Sequence, residues 1–167
     1  GHSVKAVIKQ AELGTLKGIC GPVSKLIKVD KEYSIAIETA LAAAIQNIIT
    51  ETEADAKKAI NYLKTSGGGR ATFLPVATIK SREFKEEGFE SLFGFVGIAS
   101  QLVTSAPQYR GIVENLLART VIVSDMDAAI AMSQKYRSRF KIVTLDGQVM
   151  NPGGSMTGGS VNKDAGI

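Results

Sequence analysis

The strongest constraint in this sequence is that much of it is written twice. GPVSKLIKVDKEYSIAIETAL (21–41) aligns with GIASQLVTSAPQYRGIVENLL (97–117) at a constant offset of 76 residues. Gly21 meets Gly97, Ser24 meets Ser100, Leu26 meets Leu102, Tyr33 meets Tyr109, Ile37 meets Val113 and Leu41 meets Leu117. Downstream, NIIT (47–50) corresponds to TVIV (120–123), and each is followed by an acidic, Ala-containing helical pattern, 52–65 and 125–136. A basic residue and a strand close each copy, Arg70-ATFLP and Arg139-FKIVTL. Alternating helices and strands in two similar units predict an α+β (mixed α/β) fold of two subdomains, each a small sheet covered by helices.

The remaining segments fit around these copies. VKAVIKQA (4–11) spaces Val4, Val7, Ile8 and Ala11 as an amphipathic helix. KEYSIAIETALAAAI (31–45) predicts one long helix, because its alanines favour helix strongly. Thr52 is a candidate N-cap with Asp55 three residues on, and SGGGR (66–70) stops that helix. ATFLPV (71–76) reads as a strand. Residues 77–96 read as a charged connector, with no clean period, joining a first unit (16–76) to a second (97–160). FKIVTLDGQVM folds back at Asp146-Gly147 as a hairpin, which Asn151-Pro152 ends.

Composition narrows the chemistry. The chain lacks Trp and has few aromatics, so its core is expected to be aliphatic. The only histidine, His2, lies in a Gly-His-Ser start that reads as a tag remnant. Cys20 is the only cysteine and cannot pair within the chain. Neither a Ser-His-Asp or Cys-His arrangement nor a Cys/His zinc site can be assembled. The acids fall among lysines, as in Glu51, Glu53 and Asp55 beside Lys57 and Lys58, and read as solvated helix faces rather than catalytic pairs. No apolar run approaches a membrane span of about 20 residues. With no signal peptide visible, a cytoplasmic protein is expected.

One segment is left without an assignment: MNPGGSMTGGS (150–160), with two Gly-Gly pairs and little bulk between them. A phosphate loop would need a lysine before its Ser or Thr, and none stands there. No long helix follows to offer an anion-binding N-terminus. Close contact between backbones is the better reading, since glycine has no Cβ and tolerates positive φ. A flexible tail cut from a longer protein stays open.

GRATFLP (69–75), LDGQVMNPGGSMTGGS (145–160) and the Tyr33…Ile37…Leu41 helix together resemble the hinge domain of bacterial SMC (structural maintenance of chromosomes) proteins, over about residues 16–160. The resemblance implies a non-catalytic homodimerisation module at the far end of a long antiparallel coiled coil. Its ATPase heads, with ATP and magnesium, would lie outside this chain, so no cofactor is expected here. Kleisin and accessory subunits would bind only the full-length protein, and the protein would be nucleoid-associated. Residues 1–15 would hold the end of the incoming coiled-coil helix and 161–167 the start of the outgoing one. Two hinges would pair as a ring, subdomain one of each on subdomain two of the other, with Gly153, Gly154, Gly158 and Gly159 in the contact.

The resemblance also implies a sequence-independent DNA contact. Net charge is +4, and Lys135, Arg137, Arg139 and Lys141 cluster in KYRSRFK, where alternation could put several charges on one strand face. Lys163 would add to this set, although relatives often carry a lysine run after the glycines and this chain reads Val161-Asn162-Lys163-Asp164. A stand-alone basic DNA-binding module without obligate dimerisation is the alternative.

Overall fold

The computed structural model describes residues 1–161, and in it the written repeat becomes a repeat of structure. A leading helix α1 (His2–Glu12) precedes the first unit. That unit runs β1 (Ile19–Pro22), a single turn α2 (Val23–Leu26), β2 (Ile27–Val29), α3 (Ser34–Leu41), β3 (Ile48–Thr50), α4 (Glu53–Ser66) and β4 (Phe73–Pro75). The second runs β5 (Phe95–Ile98), a 3-10 turn (Ala99–Leu102), β6 (Val103–Ser105), α5 (Arg110–Leu117), β7 (Thr120–Val123), α6 (Met126–Lys135) and β8 (Lys141–Thr144). Two short strands follow, β9 (Val149–Met150) and β10 (Met156–Thr157).

The copies agree in detail. β3 pairs antiparallel with β1 and parallel with β4, as β7 does with β5 and β8. The ladder slips between Ile19 and Gly21 and again between Phe95 and Gly97, so both units carry a bulge at the same place. Glu51 donates its amide to the Gly18 carbonyl at 2.9 Å, and Ser124 does the same to Gly94 at 2.8 Å. Both glycines are left-handed and pressed on the next helix: an added Cβ would lie 2.1 Å from the Asp55 carboxylate or 2.4 Å from the Ala128 Cβ. Thr52 and Asp55 form a reciprocal capping box on α4, and Asp125 caps α6 through the Ala128 amide. Each such cap stabilises its helix by about 1 kcal/mol.

The units are joined rather than merely linked. β2 and β6 pair antiparallel, Ile27 opposite Ser105, Lys28 opposite Thr104 and Val29 opposite Val103. Because Ile27 and Val103 are repeat equivalents, as are Val29 and Ser105, a pseudo-two-fold axis passes between Lys28 and Thr104. Around it lies one aliphatic core built from equivalent pairs: Val23 and Ala99, Ile37 and Val113, Leu41 and Leu117, Ile49 and Ile122.

Three expectations change. The helix expected over 31–45 is α3 alone, flanked by 3-10 turns at Lys31–Tyr33 and Ala42–Gln46. Ala42 breaks it with φ 49, and the longer loop shifts the repeat offset from 76 to 73. Strands β1, β2, β5 and β6, in stretches where no strand was expected, carry the central pairing. The connector also is not a joint. It is strapped over the second unit, and β5 already begins at Phe95, so the boundary lies before residue 97.

The strap explains where the aromatics go. Phe84 and Phe89 pack on Phe140, with ring centroids 5.0 and 6.3 Å away, and Tyr136 and Phe95 join them. This cluster covers β7 and α6, where in the first unit Val7 of α1 packs with Ile48, Ala59 and Leu63 over β3 and α4. Polar ties hold the strap down. Arg119 makes a two-pronged pair with Glu86 at 3.0 and 3.3 Å and stacks over the Phe84 ring. Asn115 donates to the Lys80 carbonyl at 2.8 Å, and the Tyr136 hydroxyl donates to the Glu87 carbonyl at 2.6 Å. The guanidinium hydrogen bonds hold the Glu86 carboxyl below the usual glutamate range. Among the described residues no helix is long and apolar enough to cross a membrane.

Two outcomes follow for stability. Phe89 is 2% exposed and Phe93 is 87% exposed. Urea unfolding should show Phe89→Ala losing about 3–5 kcal/mol, against about 0.5 kcal/mol or less for Phe93→Ala; equal losses would mean the strap is not seated. Glu86 titrates below its unfolded value of about 4.3, so its stabilisation is present above that pH and is lost as pH falls through the folded value. Wild type should therefore lose its advantage over Glu86→Gln on acidification below about pH 4.3. An advantage independent of pH would contradict this ion pair.

Candidate dimer interface

The two sheets differ in their outer strands, and the glycine run is there. The first sheet has three strands in the order β1-β3-β4, whereas the second has five, β10-β9-β8-β7-β5. Beyond β8 the chain turns at Leu145–Gly147, and the Gly147 amide donates to the Thr144 carbonyl at 2.9 Å. The Thr144 hydroxyl bonds the Asp146 carboxylate and accepts the Gln148 amide. This is the Asp-Gly hairpin read from the sequence.

Asn151-Pro152 does not end the sheet, contrary to the sequence reading. A second hairpin follows, with Met156 opposite Met150 and Thr157 opposite Val149. Its turn is tied down by the Asn151 amide on the Ser155 carbonyl at 2.8 Å and the Gly153 amide on the Ser138 carbonyl at 2.8 Å. The Asn151 side-chain amide donates to the Thr157 hydroxyl at 3.1 Å. Beyond β10, Gln148 clamps the main chain of Gly159 from both sides: its Nε2 donates to the Gly159 carbonyl at 3.0 Å, and its Oε1 accepts the Gly159 amide at 2.8 Å. The glycine run is thus an ordered sheet margin.

The four glycines separate by cause. Gly153, Gly154 and Gly159 have φ of 88, 103 and 132, a region that favours glycine. Gly158 has no positive φ; a Cβ there would lie 2.2 Å from the Gln148 Oε1 and would displace that end of the Gln148 side chain. Above Gly153 and Gly159 the space is open within 4 Å. β10 itself is exposed at both residues, and Met156 is 54% exposed. A second free edge exists in the first sheet, where β4 is outermost and ends at Pro75, a residue that edge strands tolerate.

The basic cluster does not form a strand face. Lys135 ends α6, Arg137 sits in a left-handed turn at φ 56, Arg139 follows in the loop, and Lys141 alone lies in β8. Lys141 turns inward, its Nζ donating to the Ala40 carbonyl at 3.2 Å. Arg139 instead joins Arg82, Lys85 and Arg119 around an open hollow of about 660 Å3 that also holds Glu83 and Glu86. Lys163 lies outside the described residues.

Chemistry elsewhere is sparse. Among the described residues no group of three or more His, Cys, Asp or Glu could hold a metal ion. Burial pushes the Cys20 thiol up, so it is protonated at neutral pH, beside the Tyr109 hydroxyl of the other unit. Gly67 caps α4 in the left-handed conformation, and the Gly68 amide returns to the Leu63 carbonyl at 2.9 Å, so Gly67–Gly69 is a helix stop. Sequence reasoning missed Gln148, which carried no signal, and Met156, which did: it is the one large apolar residue between the two Gly-Gly pairs.

Comparison with known proteins shows the family of the chain. The family model described as the SMC proteins flexible hinge domain matches residues 16–133. The chromosome partition protein Smc of Bacillus subtilis is 45% identical over 165 residues, which cover 97% of this chain but 14% of that protein. Among solved structures, the asymmetric dimer of the Geobacillus stearothermophilus SMC hinge domain superposes with a TM-score of 0.91 at 42% identity, covering 98% of this chain and 67% of that one. The Pyrococcus furiosus SMC hinge domain gives 0.74 at 30% identity, covering 95% and 88%. With the family model covering most of its length and a relative at this identity matching nearly all of it, the chain belongs to the SMC hinge domain family.

Proposed function

We propose that this chain is the homodimerisation hinge of a chromosome-organising SMC protein, joining two long coiled-coil arms. The observation that carries the reading is the exposed edge strand β10, held rigid between left-handed glycines and offered without a partner strand. An open strand edge is a liability in a soluble protein unless something covers it. A second copy can do so with closed symmetry: the second unit of each chain meets the first unit of the other, and the two equivalent contacts close a ring. The Geobacillus hinge domain was solved as a dimer, which supports the reading. On it, the full-length protein would act in the cytoplasm at the nucleoid. Its ATP- and magnesium-dependent heads and its kleisin contacts would lie outside this chain.

A sequence-independent DNA contact is the second part of the proposal. Lys135, Arg137 and Arg139 are exposed together at the end of α6, and the last of them adjoins Arg82, Lys85 and Arg119. Lys141, engaged with the Ala40 carbonyl, contributes less.

Light scattering over a hundredfold dilution tests the dimer. Wild type should hold near twice 17.7 kDa, and Gly154→Val with Gly159→Val should fall to one chain while keeping its circular dichroism. A wild-type monomer at every concentration would refute the dimer. For DNA, each phosphate contact contributes about 0.9 to the slope of log K against log salt. Replacing Lys135, Arg137 and Arg139 by Ala should flatten that slope by about 2 to 3 without favouring any sequence. An unchanged slope would remove these residues from the contact.

A further inference from the structure

The second unit shows what belongs outside such a sheet. There β9 lies against β8, with Met150 opposite Ile142, and both side chains enter the aromatic cluster. In the first unit the equivalent surface has no such cover among the described residues. Phe73 pairs with Ile48 as Ile142 pairs with Val121. Nothing lies outside β4 in the sheet order. The residues are also smaller: Ala59 stands for Met132, Leu63 for Tyr136 and Ala71 for Phe140. Between α4 and the turn entering β4, a hollow of about 410 Å3 opens, lined by Ile60, Leu63, Lys64, Gly69, Arg70 and Ala71. Ile60 is 49% exposed there.

The face parity of the sheet selects the occupant. Met156 is the cross-strand partner of Met150, so it lies on the α6 side of its own sheet. If β10 lies against β4 of another copy with α6 and α4 on one face of the joint sheet, Met156 reaches the α4 side, to which Phe73 contributes with Ala59 and Leu63. Methionine is unbranched and fills irregular apolar hollows well. We propose that the hollow between α4 and the 69–71 turn is the seat for Met156 of a second copy. This rests on the dimer reading above. Each copy then donates one methionine and receives one, so the seam has a donor side on the second unit and an acceptor side on the first.

Cross-linking tests this, in chains that also carry Cys20→Ala. Met156→Cys and Ile60→Cys are made as separate variants and oxidised alone and mixed. A disulfide needs Cα atoms within about 7 Å, so a covalent pair in the mixture but not in either variant alone is the expected result. Met156→Asp should raise the dimer dissociation constant at least tenfold by light scattering with an unchanged melting curve in the monomeric range. A wild-type dimer that gives no mixed disulfide and is indifferent to Met156→Asp would overturn the seat while leaving the dimer standing. A wild-type monomer throughout would overturn both.

Discussion

The antiparallel pairing of β2 with β6 is the interaction on which the rest depends. It is only three residues long on each side, too little to hold two domains by itself. Its effect is geometric: it fixes the two units about a pseudo-two-fold axis, so that equivalent apolar residues meet across it and merge into one core. A core of this kind cannot be opened without exposing side chains from both units at once, each worth about 1.5–3 kcal/mol of burial. The halves therefore behave as one rigid body. A rigid body is what lets two distant edges, β4 on one unit and β10 on the other, be held at a set spacing and angle.

Duplication alone would give two identical edges, and identical edges invite chains to pair indefinitely. The second unit breaks the equivalence by adding β9 and β10, with the glycine turn between them and Gln148 holding the far side. On the dimer reading proposed above, β10 would be the donor edge and β4 the acceptor. Complementary edges on opposite units allow two chains to satisfy each other completely, which closes the assembly at two. Glycine serves this arrangement mainly through backbone conformation, since three of the four have positive φ within a single chain. On the dimer reading proposed above, the open space above Gly153 and Gly159 would give the same residues a second use, the close approach of a partner.

What the sequence reveals depends on how local the cause is. The repeat is legible because its matching residues, such as Ile37 with Val113 and Leu41 with Leu117, occupy the shared core and keep their chemistry. The α4 cap is legible because Thr52 and Asp55 interact within one turn. The helix over 31–45 is overdrawn because alanine propensity cannot register that Ala42 must turn to φ 49 to reach β3. β1 and β2 are three or four residues long, with a bulge and a proline, so no period of two emerges. The strap is hidden because Phe84 and Phe89 find their partners in Tyr136 and Phe140, about fifty residues away in sequence. Lys141 reads as a surface charge because nothing local marks Ala40 as its acceptor. β10 escapes notice because a two-residue strand between glycines has no pattern at all.

The two units also differ in what closes their outer layer. In the first unit the layer is completed by α1, whose Val7 is fully buried and whose Ser3 hydroxyl donates to the Arg70 carbonyl at 2.7 Å. In the second the same role falls to the strap, with Phe84 and Phe89. Displacing α1 would therefore unpack the first unit, at Leu63 and at the turn that leads into β4, and leave the second unit intact. The β4 edge thus belongs to the unit closed by the leading helix, while the open β10 edge belongs to the unit closed by the strap, which has no continuity with that helix. On the dimer reading proposed above, a displacement of α1 would therefore act on the β4 side of the contact and not on the β10 side.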